Sequence, residues 1–399
     1  MSVFPGEDHS VPCFCVPLLM RIVHIALASS FTEGLSYQDN LLSSQNAQDG
    51  HNVTVITNCR KYEKGIFVFT EPEDRIMTNG VRLIRVEYDK LINSFISEKV
   101  RKVNAIYKLL VDLKPDIILF HGIGGLALLN VMNYKIKHPL IRLYADCHAD
   151  VNNSATNLIS LILLHKVFNR AIIQKSLPYI DKVFYISYEC KDFLRKMYRV
   201  PKNKMEFFPL GGIIYSDDER TEKRERIRNE LRLTDNKVLF VHSGKMDRLK
   251  RTADVLRAFS QVKSDKIRLM LIGSMTDDVR LVTEPLIEED SRISFIGWKT
   301  ADELMEYLCS ADVYVQPGGQ SATMQNAICC GCAMVLYPHK SHEPYLQGNG
   351  YYVETIEDMK NAFKKIADDP SMLKKMSDNS MKIAIELLDY KKLAARLYE

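Results

Sequence analysis

Short apolar runs alternate with amphipathic stretches along most of the chain, and this alternation restricts the fold more than any other feature. Arg21–Leu27, Asn52–Thr57, Val81–Glu87, Pro115–Phe120, Leu140–Ala145 and Val183–Ser187 have the length and apolar character of buried strands. Helical spacing separates them at Tyr37–Gln48, Ser97–Leu113 and Asn157–Gln174. Strands alternating with helices predict a parallel, doubly wound sheet. The pattern is interrupted at Phe207-Phe-Pro-Leu-Gly-Gly212, where proline and paired glycines punctuate the chain. A strongly charged helix, Asp218–Leu233, follows. The alternation then restarts with strands at Lys237–Val241, Ile267–Ile272, Ile293–Ile296, Val313–Gln316 and Ala333–Leu336. A chain of 399 residues suits two domains. The reading is therefore an α/β protein with Rossmann-like domains at 20–212 and 213–399, facing across a cleft. The helical tail, Met359–Glu399, is expected to pack back toward the first domain.

Residues 1–19 contain no Lys or Arg and so lack the basic start of a signal peptide. They are expected to be a disordered leader or an over-long start. No apolar run reaches the ~18 residues that span a bilayer, which makes the cytoplasm the default location. Charge is uneven: residues 20–212 hold 26 Lys and Arg against 18 Asp and Glu, whereas residues 213–399 hold 28 against 30. A basic first half suggests an acidic partner. Its helix with Lys99, Arg101, Lys102 and Lys108 suits an anionic membrane surface, placing the protein peripherally on the inner face of the cell membrane. The basic residues form no aromatic-interleaved stripe, so a nucleic-acid partner is not expected. Cys329-Cys-Gly-Cys332 has C-x-x-C spacing with His339 and His342 beyond it, but no second pair, so reduced thiols are expected rather than zinc.

The stretch most suggestive of chemistry is Val241-His-Ser-Gly-Lys-Met-Asp-Arg-Leu-Lys-Arg-Thr252. A strand is expected to enter a Ser-Gly turn and then a helix, bringing Gly244, Lys245 and Lys250 to one crevice. In open α/β sheets ligands bind at the carboxyl ends of strands. Two ammonium groups beside a helix N-terminus suit a diphosphate.

Residues 241–350 resemble the nucleotide-sugar-binding domain of the retaining glycosyltransferases of family 4, which have the GT-B fold. The landmarks, in order, are Gly244-Lys245 with Lys250, Leu269-Met-Leu-Ile-Gly273, Phe295-Ile-Gly-Trp298, Ala311-Asp-Val-Tyr-Val315, Cys329-Cys-Gly331, and Glu343 before Gly348-Asn-Gly350. One landmark departs. The family's two glutamates, eight residues apart, would fall at Gly318 and Asn326, and the local text Pro317-Gly-Gly-Gln-Ser-Ala-Thr-Met-Gln-Asn326 contains no acid. The resemblance then passes donor contacts to Gln320, Ser321, Gln325 and Asn326, whose amides and hydroxyl both donate and accept. In the first half the resemblance covers the loop Ser30–Gln38, with Gly34 near the donor and Gln38 near the acceptor. It also covers Pro115–Gly122, ending in His121, and Tyr144-Ala-Asp-Cys-His-Ala-Asp150, where His148 matches the family's active-site histidine. Asp146, His148 and Asp150 share one face of a strand, so a divalent metal is a competing reading.

With these features the resemblance implies a metal-independent, retaining glycosyltransferase without a cofactor. His148, Lys245 and Lys250 would be its catalytic residues, and Gly34, Gly244, Trp298, Gln320, Ser321, Gln325, Asn326 and Glu343 would bind the donor. Gln38 and His121 would bind a glycan or lipid-linked glycan acceptor, in surface polysaccharide synthesis, with a UDP-sugar favoured as donor. The missing glutamates keep open a silent nucleotide-sugar binder. A GT-B epimerase is the other alternative.

Overall fold

The computed structural model describes residues 19–35, 37–63, 66–151, 154, 160–319 and 321–399. The leader, apart from Leu19, and Gln320 therefore lie outside the described residues. Two sheets dominate. The first holds eight strands, in spatial order Met205–Phe207, Lys182–Tyr185, Arg142–Cys147, Ile117–Phe120, Arg21–Ala26, Asn52–Asn58, Arg82–Val86 and Glu73–Ile76. All neighbours are parallel except the last pair. The second sheet is wholly parallel, in the order Ile293–Phe295, Ile267–Met275, Val238–Met246, Val313–Gln316, Ala333–Leu336 and Gly350–Tyr352.

Strands covered on both faces need apolar residues at successive positions, and Arg21–Ala26 shows why. Val23 and Ile25 pack with Ile106, Leu110, Leu128 and Val131 on one face. Ile22 packs with Val53, Val55 and Leu83 on the other. The end of the chain completes that second face: Tyr390, Leu393, Ala394 and Leu397 pack against Leu42, Leu119, Phe184 and Phe208. Arg396 fixes the tail there, donating to the Phe207 carbonyl at 2.7 Å and pairing with Glu206 at 2.5 Å. In the second sheet, Asp312 accepts from Leu239 N at 2.7 Å and pairs with Arg224 at 2.6 Å and Arg228 at 3.3 Å. The aspartate of the Ala-Asp-Val landmark is thus a structural anchor.

Several elements differ from the sequence expectation. The single helix over Ser97–Leu113 is two, Ser94–Val100 and Ala105–Leu113, because Arg101 takes the left-handed conformation with φ 49°. The strand expected at Leu140–Ala145 is Arg142–Cys147, with Leu140 97 % exposed. Arg60–Glu63 and Ile66–Phe69 form an antiparallel pair that the apolar pattern did not announce. Within Asn157–Gln174, residues 160–169 are π-helical and α-helix begins at Arg170, while Asn157 lies outside the described residues. Every described cysteine is free and buried. No described helix is long and apolar enough to cross a membrane.

Candidate active site

The Ser-Gly turn expected at Gly244 is absent. The strand Val238–Met246 runs through Gly244 and Lys245, pairing with Ile267–Met275 so that Gly244 faces Gly273. A Cβ on Gly273 would stand 1.9 Å from the Gly244 carbonyl oxygen, so glycine is required for the two strands to continue side by side. The turn comes later. Asp247 accepts from Leu249 N at 3.0 Å and Lys250 N at 3.2 Å, starting one 3₁₀ turn at Arg248–Lys250. The helix Thr252–Ser260 follows. This fold-back carries Lys250 over Gly244, where an added Cβ would lie 3.9 Å from Nζ. The Lys250 ammonium donates to the Gly319 carbonyl at 3.5 Å and has no carboxylate partner among the described residues. Burial pushes its pKa down to about 8, against the opposing charge of Asp247. Lys245, by contrast, is exposed.

On the first sheet, hydrogen bonds link buried side chains across three adjacent strands. His24 stands between Asn46 and His121, with Nε2 2.9 Å from Asn46 Oδ1 and Nδ1 3.0 Å from His121 Nε2. His121 Nδ1 lies 2.6 Å from Asp146 Oδ2. Asp146 Oδ1 accepts from Gly122 N at 2.6 Å and pairs with His148 Nε2 at 3.4 Å. Burial pushes His24 down to about 3, with His121 adding to the effect, so His24 is neutral. Burial alone would raise Asp146, but His121 and His148 hold it well below the usual carboxylate range. Burial also opposes charging of His148. The Asp146 carboxylate overcomes this through charge and hydrogen bonding, and pushes His148 up to about 9. His148 is therefore an imidazolium at neutral pH, with 40 % of its side chain exposed.

His148 lines a cavity of about 420 Å³ where the two halves meet. Tyr37, Gln38, Asp39 and His121 contribute from the first half, and Ala322 and Asn326 from the second. Asn326 also borders a neighbouring cavity of about 290 Å³ that includes Gly34. Asp39, which the sequence reading missed, accepts from Ser29 Oγ at 2.8 Å and from Asn40 N at 3.2 Å. Lys245, Lys250, Trp298 and Glu343 are not in the wall of the 420 Å³ cavity. The structure thus gathers Gln38, His121, His148 and Asn326 around one cavity, and Gly244 and Lys250 at the fold-back.

Residues 40–211 match the family model described as Glycosyltransferase Family 4, and residues 223–383 match the one described as Glycosyl transferases group 1. The chain belongs to the group 1 glycosyltransferases. Sucrose-phosphate synthase from Thermosynechococcus elongatus is similar in fold, with TM-score 0.66 and 17 % identity over 94 % of this chain and 97 % of that one. HepE of Anabaena, solved in complex with UDP, gives TM-score 0.65 and 12 % identity over 94 % and 98 %. An uncharacterized glycosyltransferase of Methanocaldococcus jannaschii is 24 % identical over 185 residues, 43 % of this chain. That match spans 47 % of the archaeal protein's length. The fold is GT-B, shared with these solved structures over nearly the whole chain.

Two expected roles change in this glycosyltransferase. Gln325 is buried, and its Oε1 accepts from Gly211 N at 2.9 Å, so it bolts the second half to the segment between the sheets instead of reading a ribose. His121 faces His24 with one ring nitrogen and Asp146 with the other, so it positions Asp146 and has no nitrogen left for an acceptor. Trp298 is 71 % exposed and so stays open to ligand, while its turn meets the sheet through Ile296 N, which donates to the Leu271 carbonyl at 3.1 Å, and the Gly297 carbonyl, which accepts from Gly273 N at 2.8 Å. Other residues keep positions open to ligand. Ser321 caps the helix Ala322–Cys329, and Glu343 is exposed on Lys340–Tyr345. Gln38 donates to the Pro209 carbonyl at 3.0 Å, while its Oε1 is buried without a partner.

The competing metal reading names Asp146, His148 and Asp150; among the described residues the cluster with ligand spacing has His121 in place of Asp150. His121, Asp146 and His148 place ligand atoms within 4.8 Å of one another. A cation there would have to take a His121 nitrogen from His24 or from Asp146. It would also have to displace the proton of His148. Without an ion the three side chains form a hydrogen-bonded chain.

Proposed function

We propose that the protein moves a sugar, with retention of configuration, from a nucleotide-diphosphate sugar to a hydroxyl of a glycan or lipid-linked glycan, without a metal. A UDP-sugar is the favoured donor, and HepE, which shares the fold, is solved with UDP. The observation that carries this reading is Lys250. It is a partly desolvated ammonium with no carboxylate partner among the described residues, turned over glycine backbone beside the start of a helix. A diphosphate supplies the missing negative charge, and the helix terminus adds a favourable dipole. As the bond to the leaving group breaks, charge grows on the diphosphate oxygens. Lys250 opposes that charge from a fixed place, with Lys245 assisting from the exposed side.

His148 acts as a donor and not as a free base, because it holds its proton up to about pH 9. Its N–H orients a sugar or acceptor oxygen. Asp39 is the carboxylate in the cavity wall, and both its oxygens already accept hydrogen bonds. It is poorly free to attack as a nucleophile, which favours attack by the acceptor on the face the diphosphate leaves. The test is a panel of nucleotide sugars incubated with and without a glycan or lipid-linked acceptor. Acceptor-dependent release of nucleotide diphosphate, with the product anomer matching the donor by NMR, supports the reading. Binding without turnover, or isomerisation of the donor alone, overturns it.

A further inference from the structure

A second cavity, of about 840 Å³, opens beside the first. Ala28, Gly122 and His148 line both, so His148 stands in the partition between them. The second cavity is built entirely by the first half, and its wall is largely apolar, with Phe95, Ile123, Leu163 and Tyr198. Set into that wall is Arg101. The helix Ser94–Val100 ends there, and the start of the helix Ala127–Lys137 holds the backbone, with Leu126 N donating to Val100 O at 2.8 Å and Ala127 N to Arg101 O at 3.0 Å.

The Arg101 side chain lies across the loop Gly122–Gly125. A Cβ on Gly124 would come 3.4 Å from Nη2, and one on Gly125 would come 3.0 Å from Nε. Three glycines with φ of 72°, 132° and 81° shape this bed. A guanidinium has five N–H donors. One donates to the Gly122 carbonyl at 3.2 Å, and no described carboxylate pairs with Arg101. Glu98, the acid in the same wall, is paired with Arg60 at 2.7 Å. Arg101 therefore offers a fixed charge with unused donors inside an apolar cavity. At the rim, Phe95 is 67 % exposed and Leu163 61 %, and Lys99 lies over the Phe95 ring at 5.5 Å.

We propose that this cavity receives the alkyl phosphate portion of a lipid-linked glycan acceptor, with the phosphate on Arg101 and the hydrocarbon on Phe95 and Leu163. An arginine fork matches a phosphate in charge and shape, and exposed apolar side chains beside a cation match a chain that begins at a phosphate. The glycan beyond the phosphate passes His148 into the cleft, where one of its hydroxyls is the attacking group. The inference deepens the proposed transfer reaction and rests on it.

Calorimetry with decyl phosphate below its micelle concentration, alongside UDP, tests the assignment. Wild type is expected to bind decyl phosphate more tightly than inorganic phosphate or neutral decyl maltoside. Arg101→Gln is expected to weaken decyl phosphate by about tenfold or more, the size of a lost charge-assisted bond. Leu163→Ser, at an exposed position, is expected to weaken decyl phosphate but not butyl phosphate, and Leu140→Ser to change neither. UDP affinity is expected to hold in all three variants. Equal decyl phosphate binding by wild type and Arg101→Gln, or by wild type and Leu163→Ser, overturns the inference. Leu163-dependent binding to phosphatidylglycerol vesicles without binding of monomeric decyl phosphate also overturns it, because the surface then reads a bilayer. Absence of UDP binding in wild type strikes the donor reading and leaves the cavity assignment standing.

Discussion

The two halves approach the cleft by opposite means. The second half offers a cation on a local fold-back, where glycines at 244, 273 and 318 let backbone press against backbone and Lys250 closes over the gap. The first half offers His148, whose charge is set by a chain of side chains reaching back through Asp146 and His121 to His24 and Asn46. One depends on close backbone approach, the other on long-range hydrogen bonding. The first should therefore fail when a charge is removed, and the second when a proton is misplaced.

Removing the charge is the larger insult. Lys250→Ala is expected to lower kcat/KM for the donor by about 10²–10³, comparable to loss of a preorganised transition-state contact. Lys245→Ala should cost about tenfold or less, because an exposed charge is screened by water. Steady-state kinetics would break the contrast if Lys245→Ala proved the more damaging.

Asp146→Asn tests the relay. His148 loses the carboxylate that holds its proton, so its pKa should fall from about 9 toward the ordinary ~6.5. A raised pKa keeps the proton on below about pH 9, so the variant should lose its imidazolium across the window between the two values. The alkaline limb of its rate profile should move down by about the same interval, and an NMR titration of the His148 ring reads the shift directly. An unchanged His148 titration would remove the relay from the account.

Gln325 and Asn326 give a finer contrast. Gln325→Ala should cost about 1–3 kcal/mol of stability by stranding the Gly211 N–H, with donor KM unchanged. Asn326→Ala should leave the melting temperature nearly intact and raise donor KM severalfold. If the two effects exchange places, the donor reaches the helix Ala322–Cys329 through the other side chain. The smallest expected effect is that of a chelator, which should leave the rate unchanged. Loss restored by a divalent ion would return His121, Asp146 and His148 to the role of ligands.

The same difference decides what could be read in the sequence. Gly244, Lys245 and Lys250 are close along the chain, so their juxtaposition was legible even though the turn lies three residues later than expected. The order of strands was legible because period and punctuation are local. The relay was not. His24 sits within an apolar run with nothing to mark it; Asn46 comes near through the helix Gln38–Gln48 packed on the sheet, and His121 through strand pairing. Arg101 reads in the sequence as part of one continuous basic helix, because helical periodicity does not register the left-handed residue that breaks it. Gln325 and Asn326 were indistinguishable by composition, and the packing of one helix against Gly211 separates them.

The most direct test of the central claim is the pH dependence of UDP affinity in wild type and Lys250→Met, measured by calorimetry from pH 7 to 9.5. Phosphate titration, near ~6, lies below this range. Lys250 in the free protein loses its proton near pH 8. Wild type is expected to bind UDP well at pH 7 and to weaken as the pH rises through that value, while Lys250→Met binds weakly and with a flatter profile. Equal affinity in the two proteins, or an identical alkaline loss in both, would contradict the assignment of Lys250 to the diphosphate.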